Sequence, residues 1–166
     1  MEMTIRRALP EDAYDWAVCR ISCWQSAYKG IFSEEIINNM PSEKEQHIER
    51  YKKCLTDQGN IEYYSVVLSE KMMIGSLVID RINSEIWAIY LLEQFWGKGY
   101  GKKIMDFAVN ELKCEKTKEI YLWVFEKNHR ARRFYEKYGF RADGAQKESG
   151  RYGIPLVELR YVLQYT

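Results

Sequence analysis

Apolar and polar positions change their period several times along the chain, and each change predicts an element. Residues 3–8 read as a first strand. Pro10, Glu11 and Asp12 then open a helix, with proline and acids where a first turn favours them. Ala13, Trp16, Ala17, Ile21, Trp24 and Tyr28 form its apolar stripe, and Gly30 ends it. Residues 33–40 predict a short helix. Ser42 and Glu45 have the spacing of a capping box, which predicts a further helix running to about Leu55. Strands follow at 61–69 and 71–82, joined at Glu70, and a third at 84–92.

The second half alternates helix and strand. From Gly99, Ile104, Met105, Ala108, Val109 and Leu112 lie on one helical side. Residues 120–125 are apolar on both faces, as in a central parallel strand. Asn128 is a good N-cap, Ala131, Phe134, Tyr135 and Tyr138 share one face, and Gly139 stops that helix. Residues 141–147 and 156–163 predict a last hairpin around a loop at 150–155, with Val157, Leu159, Tyr161 and Leu163 inward. One strand–helix–strand unit demands a right-handed crossover between parallel strands. The rest is meander. The expectation is an α+β fold of α/β/α layering: a mixed, mostly antiparallel sheet with helices on both faces.

Composition narrows the class. The 166 residues, 46% hydrophobic and 14% aromatic, suit one domain spanning 1–166 with a real core. A net charge of +1 argues against broad nucleic-acid or membrane-surface binding. Cys19, Cys23, Cys54 and Cys114 form no C-x-x-C pair, and with only His47 and His129 besides, no metal set is visible. No long apolar run marks a signal peptide or membrane span, so the cytoplasm is the expected compartment.

The most informative stretch is 91–103. An apolar run ends, Gly97, Gly99 and Gly101 alternate with Lys98 and Tyr100, and a helix begins at once. A bare loop leading into a helix N-terminus points backbone N–H groups and partial positive charge at one spot, which suits a phosphate. The spacing G-x-G-x-G is neither the P-loop pattern nor the dinucleotide pattern, and glycines also serve ordinary turns. Both readings stand on this segment alone. Lys102 and Lys103 lie in the helix's first turn, where the dipole disfavours cations; a bound polyphosphate would neutralise them.

The loop and the segment Asn128-x-x-Ala131-x-x-Phe134-Tyr135-x-x-x-Gly139-Phe140 together resemble the GCN5-related N-acetyltransferases. The first is similar to that family's [QR]-x-x-G-x-[GA] signature, and the second to its N-x-x-A-x-x-[FL]-Y-x-x-x-G-F segment. The likeness is clear from about Ile61 onward. It departs at Trp96, usually Gln or Arg, and at Glu93, where proline is common.

The resemblance implies an acetyl-CoA-dependent N-acetyltransferase. Trp96, Gly97, Lys98, Gly99, Tyr100, Gly101 and Lys102 would hold the pyrophosphate. The pantetheine arm would pair with the strand edge at 89–93, including Tyr90 and Leu91, with Asn128 and Ala131 opposite. Tyr135 would lie near the cofactor sulfur, and an ordinary phenol, pKa about 10, can protonate a departing thiolate. Glu85 or Glu93, or water held by either, would deprotonate the amine. A backbone N–H near Leu91 would take the oxyanion. Trp24, Tyr28 and Tyr152, with Gln25 and Ile31, are acceptor-side candidates. The segment around them is similar to one in polyamine acetyltransferases, and aromatic rings can bind a cationic amine. The acceptor would be a small-molecule or peptide amine. Members of the family often form dimers. A non-catalytic acyl-CoA sensor on the same fold is the rival reading, and transfer of a longer acyl group a third.

Overall fold

The computed structural model describes residues 2–57, 62–113 and 118–165; Cys114 and the expected strand start at Ile61 lie outside them. Among the described residues, seven strands form one sheet: β1 (Met3–Arg7), β2 (Glu62–Ser69), β3 (Met72–Asp80), β4 (Glu85–Leu91), β5 (Glu119–Phe125), β6 (Arg141–Ser149) and β7 (Leu156–Gln164). Their spatial order is β1-β2-β3-β4-β5-β7-β6. Every neighbouring pair is antiparallel except β4 and β5. That exception follows from the crossover through α4 (Tyr100–Leu112), because parallel neighbours need a long connection.

Side-chain alternation sends each strand's apolar residues into two cores. One face packs α1 (Ala13–Tyr28) and α3 (Lys44–Asp57), joining Trp16, Trp24, Tyr51 and Leu55 to Tyr64, Val66, Val78 and Tyr90. The other packs α4 and α5 (His129–Tyr138), joining Ile104, Met105, Ala108 and Tyr135 to Ile74, Leu77, Ile120 and Leu122. The short α2 (Glu34–Asn39) is capped by Ser33, whose hydroxyl accepts the Ile36 amide. The α+β class and the layered, mostly antiparallel sheet are those expected from the sequence.

Several local expectations change, each for a visible reason. The Ser42 hydroxyl donates to the Asn39 carbonyl at 2.6 Å within a 3-10 turn, Met40–Glu43, that runs straight into α3, so it does not cap that helix. β3 stops at Asp80 because that carboxylate accepts the amides of Ile82 and Asn83 at 2.9 and 3.0 Å and folds the chain over. Glu70 and Lys71 both take positive φ, the two-residue hairpin turn whose twist matches the strands. In β5 the α4/α5 face is fully buried, whereas Tyr121 and Trp123 on the other face are only half-buried. In β7, Leu159, Tyr161 and Leu163 join the α4/α5 core as expected, while Val157 belongs to neither core.

Candidate active site

β4 and β5 stay paired only at Glu85–Tyr121 and Ile86–Leu122. Beyond that point they diverge, and the sheet opens as a fork. Trp87 is an extra residue of β4 between Ile86, opposite Ile79, and Ala88, opposite Val78, and this bulge bends the strand at the base of the fork. The Leu92 amide bonds the Ile74 carbonyl on β3 at 2.9 Å. Main-chain groups alternate sides along a strand, so Tyr90 and Ala88 bond β3 while Leu91 and Ile89 turn theirs into the fork. A sheet edge therefore lies open inside the sheet, at the strand segment expected to receive the pantetheine amides.

The loop after the fork is built to present backbone. Leu92 leads into a 3-10 turn, Glu93–Phe95, and Gly97 and Gly99 take φ of 71° and 83° with nothing within 4 Å of where a side chain would start. Gly99 is the N-cap of α4 and supplies no side-chain cap, so the helix's first amides remain open for an anion. Gly101 serves packing instead. A side chain there would meet the Phe134 ring at 3.2 Å, so its absence lets α4 and α5 approach.

Trp96 replaces the expected Gln or Arg by a different construction. Its indole Nε1 donates to the Leu91 carbonyl at 2.7 Å, tying the loop to the end of β4. The Arg130 guanidinium stacks over its ring at 3.3 Å. Together the pair restores one hydrogen bond and one positive charge at this position. Lys102 is held by Asp106, one helical turn on, at 2.8 Å, and Tyr138 donates to the same carboxylate at 2.8 Å. The first-turn lysine is thus balanced within its own helix. Lys98 is exposed, and the Tyr100 ring packs edge-on against Phe95.

Asn128 does the work of a cap, its Oδ1 accepting the Ala131 amide at 3.1 Å, and both residues line the groove described below. One turn further, Tyr135 is buried among Phe134, Phe140 and Tyr161. Burial, with Tyr90 adding to it, pushes its phenol well above the ordinary value and keeps it protonated.

A groove of about 1370 Å³ joins these parts and passes through the fork to the α1 side. Glu85 lines it at the closed end, its carboxylate accepting the Tyr121 hydroxyl at 3.0 Å. Burial first, and then this bond, push the Tyr121 phenol up to about 12. Glu93 is exposed at the mouth and does not line the groove. Tyr28 lines it and shares a 2.8 Å hydroxyl contact with Tyr90, whose ring lies on the α1 face. Trp24 is 3% exposed and packed between Tyr28, Phe32 and Tyr152, so it braces the wall. The Tyr152 hydroxyl donates to the Met40 sulfur at 3.1 Å. Gln25 is spent on the Ile37 carbonyl.

Sequence reasoning missed Arg20 and Arg50 and saw Arg130 only as one of the basic residues flanking the two motifs; all three line the groove. Arg20 had a signal: it is a charged residue in the middle of the Trp16–Trp24 apolar stripe, one turn from each.

The acetyltransferase (GNAT) family model matches residues 24–140, and the chain belongs to that family. Spermine/spermidine N(1)-acetyltransferase of Bacillus subtilis is 32% identical over 111 residues, covering 59% of this chain and 73% of the relative. Spermidine N(1)-acetyltransferase of Thermoplasma acidophilum is 25% identical over 146 residues, 86% and 91% of the two chains. The crystal structure of the PaiA N-acetyltransferase of Thermoplasma acidophilum with coenzyme A superposes with a TM-score of 0.77 at 22% identity, over 99% of this chain and all of that one. The chain is thus an acetyl-CoA-dependent N-acetyltransferase. The open strand edge and the glycine cradle fit an amide-rich arm ending in a diphosphate.

Proposed function

We propose that the acetyl group passes directly from acetyl-CoA to the primary amine of a small molecule, without an acyl-enzyme. Acetyl-CoA supplies an activated thioester. The observation that carries the reading is the fork, with the main-chain groups of Ile89 and the amide of Leu91 turned into it on one side and the protonated phenol of Tyr135 on the other. The Leu91 amide is aimed where an oxyanion would need a donor. Tyr135 holds the proton for the leaving thiolate. Glu85, inside the groove, is the better base than Glu93 at its mouth; from the closed end it can take the ammonium proton through water. Cys23 also lines the groove, but contact with Cys19 and burial push its thiol up, which disfavours the thiolate a nucleophile needs. The relatives' names, spermine and spermidine acetyltransferases, support a small amine as acceptor over a protein terminus.

The test is thiol release from acetyl-CoA, with amine classes supplied in turn. Release that requires an amine, with no burst of thiol in its absence, is expected. A stoichiometric burst without amine would indicate an acyl-enzyme, and binding of coenzyme A without release against every amine would favour a sensor.

A further inference from the structure

The acceptor side of the groove carries charge of an unexpected sign. Among the described residues, seven basic side chains line the groove as a whole against three acidic ones. Each acid is engaged: Asp106 with Lys102, Glu158 with Lys147 at 3.4 Å, and Glu85 with the Tyr121 hydroxyl. On the α1/α3 wall stand Arg20 and Arg50. Neither has a carboxylate within ion-pair distance among the described residues.

Arg20 is the more telling of the two. It projects from the core-facing stripe of α1, and its guanidinium lies 3.9 Å over the ring of Tyr90, whose hydroxyl meets that of Tyr28. The groups that act on it electrostatically are the phenols of Tyr90, Tyr51 and Tyr28 and the Cys23 thiol. A half-buried guanidinium with no counter-charge of its own is stabilised by a ligand that brings one. Three aromatic faces along the groove are already covered by cations: Tyr90 by Arg20, Trp96 by Arg130, and Tyr51 by Arg50 at 5.9 Å. A polycation entering here would meet like charge at each of them.

We propose that Arg20, with Arg50 further along the same wall, anchors an anionic group carried by the amine acceptor. The planar, bidentate fork of arginine selects a carboxylate or a phosphate. The acceptor is then an amine bearing an acid, with its ammonium toward Glu85 and its anion toward Arg20. The coenzyme's own phosphates belong at the glycine loop and the N-terminus of α4, so they do not account for a cation on α1. This inference rests on the acetyl-transfer reading and narrows it.

The experiment is a thiol-release screen with acetyl-CoA and three acceptor sets. These are amino acids and dipeptides, aminoalkyl and amino-sugar phosphates, and spermidine with spermine. kcat/KM is expected to be highest in one of the first two sets, and which of them leads names the anion. Arg20→Gln should raise KM for that acceptor about 10- to 100-fold, the worth of one hydrogen-bonded charge, with coenzyme A affinity unchanged. Arg20→Lys should recover part of the loss. Arg50→Gln, a change at an exposed position of α3, keeps the test valid should Arg20→Gln fold poorly, and should raise the same KM by a smaller factor. Polyamines turned over as well as the anionic amines would overturn the anchor while leaving acetyl transfer in place. So would an Arg20→Gln effect that lowers kcat equally for every acceptor. Absence of thiol release with all three sets would take down both readings.

Discussion

The two sides of the fork offer a ligand different kinds of surface. On the α4/α5 side the surface offered is main chain: amides of Leu91 and Ile89, the Gly97–Gly99 turn, and the uncapped start of α4. On the α1/α3 side it is side chains: Arg20, Arg50, Tyr28, Tyr51 and Glu85, contributed by three elements far apart in sequence. Backbone recognition constrains a few consecutive residues tightly, because glycine and a helix start must come in order. Side-chain recognition constrains geometry and leaves sequence spacing free. One side can therefore keep a common cofactor while the other changes acceptor.

The largest expected effect breaks the cofactor side alone. Tyr135→Phe should lower kcat about 10²-fold, the low end for one acid–base group, with coenzyme A binding intact. Because burial raises this phenol above its ordinary value, the wild-type rate should not fall through loss of its proton up to about pH 10. Unchanged turnover in the Phe variant would remove Tyr135 from the chemistry.

The next strikes the partition between the sides. Gly75 of β3 lies under β4, where an added Cβ would sit 2.4 Å from the Tyr90 carbonyl oxygen. Gly75→Ala must push β4 into the fork. We expect a loss of about 2 kcal/mol, the scale of overpacking, seen as a midpoint lowered by about 4–8 °C in thermal melts. Both cofactor and acceptor affinity should weaken, because β4 serves both sides. A variant as stable as wild type would show that β4 can move freely.

A smaller effect tests the Trp96–Arg130 pair. Arg130→Ala should weaken coenzyme A binding about 5-fold, from loss of a stacked cation worth about 1 kcal/mol, and calorimetry measures it directly. Acceptor KM should be unaffected. The smallest concerns the α1 side. Arg6 donates to both oxygens of Asp12 at 2.7 and 2.8 Å, and this bond holds the carboxyl below its ordinary value. The unfolded chain then binds the proton more readily than the native one. Stability is fully present above about pH 4 and falls as pH drops through the lowered native value. Asp12→Asn should flatten that acid dependence in urea titrations and cost no more than about 1 kcal/mol, since Arg6 is partly exposed.

The contrast between the sides also explains what the sequence disclosed. Helix and strand periods placed the layers, and the crossover fixed the single parallel pair. The glycine loop and the Asn128–Phe140 segment are local patterns, so the turn, the helix start and the cap that frame the groove were readable almost residue by residue. The acceptor side was not. Trp24 reads as a binding aromatic, yet it is buried against Tyr28, Phe32 and Tyr152, because an aromatic stripe on an amphipathic helix carries the same signature whether it meets a ligand or a core. Which of Glu85 and Glu93 faces the groove depended on a bulge and a 3-10 turn, neither with a periodic signal. The stacking of Arg130 on Trp96 links two segments through geometry alone. Arg20 was visible only as a polar interruption of a stripe.

Two residue pairs are all that stitch β4 to β5, so the sheet is mechanically two plates, one of β1 to β4 and one of β5, β7 and β6. A molecule lying in the cleft with amides of its own would act as the missing strand and couple the plates. Occupancy should then slow deuterium uptake at Ile89 and Leu91 more than anywhere on the outer strands.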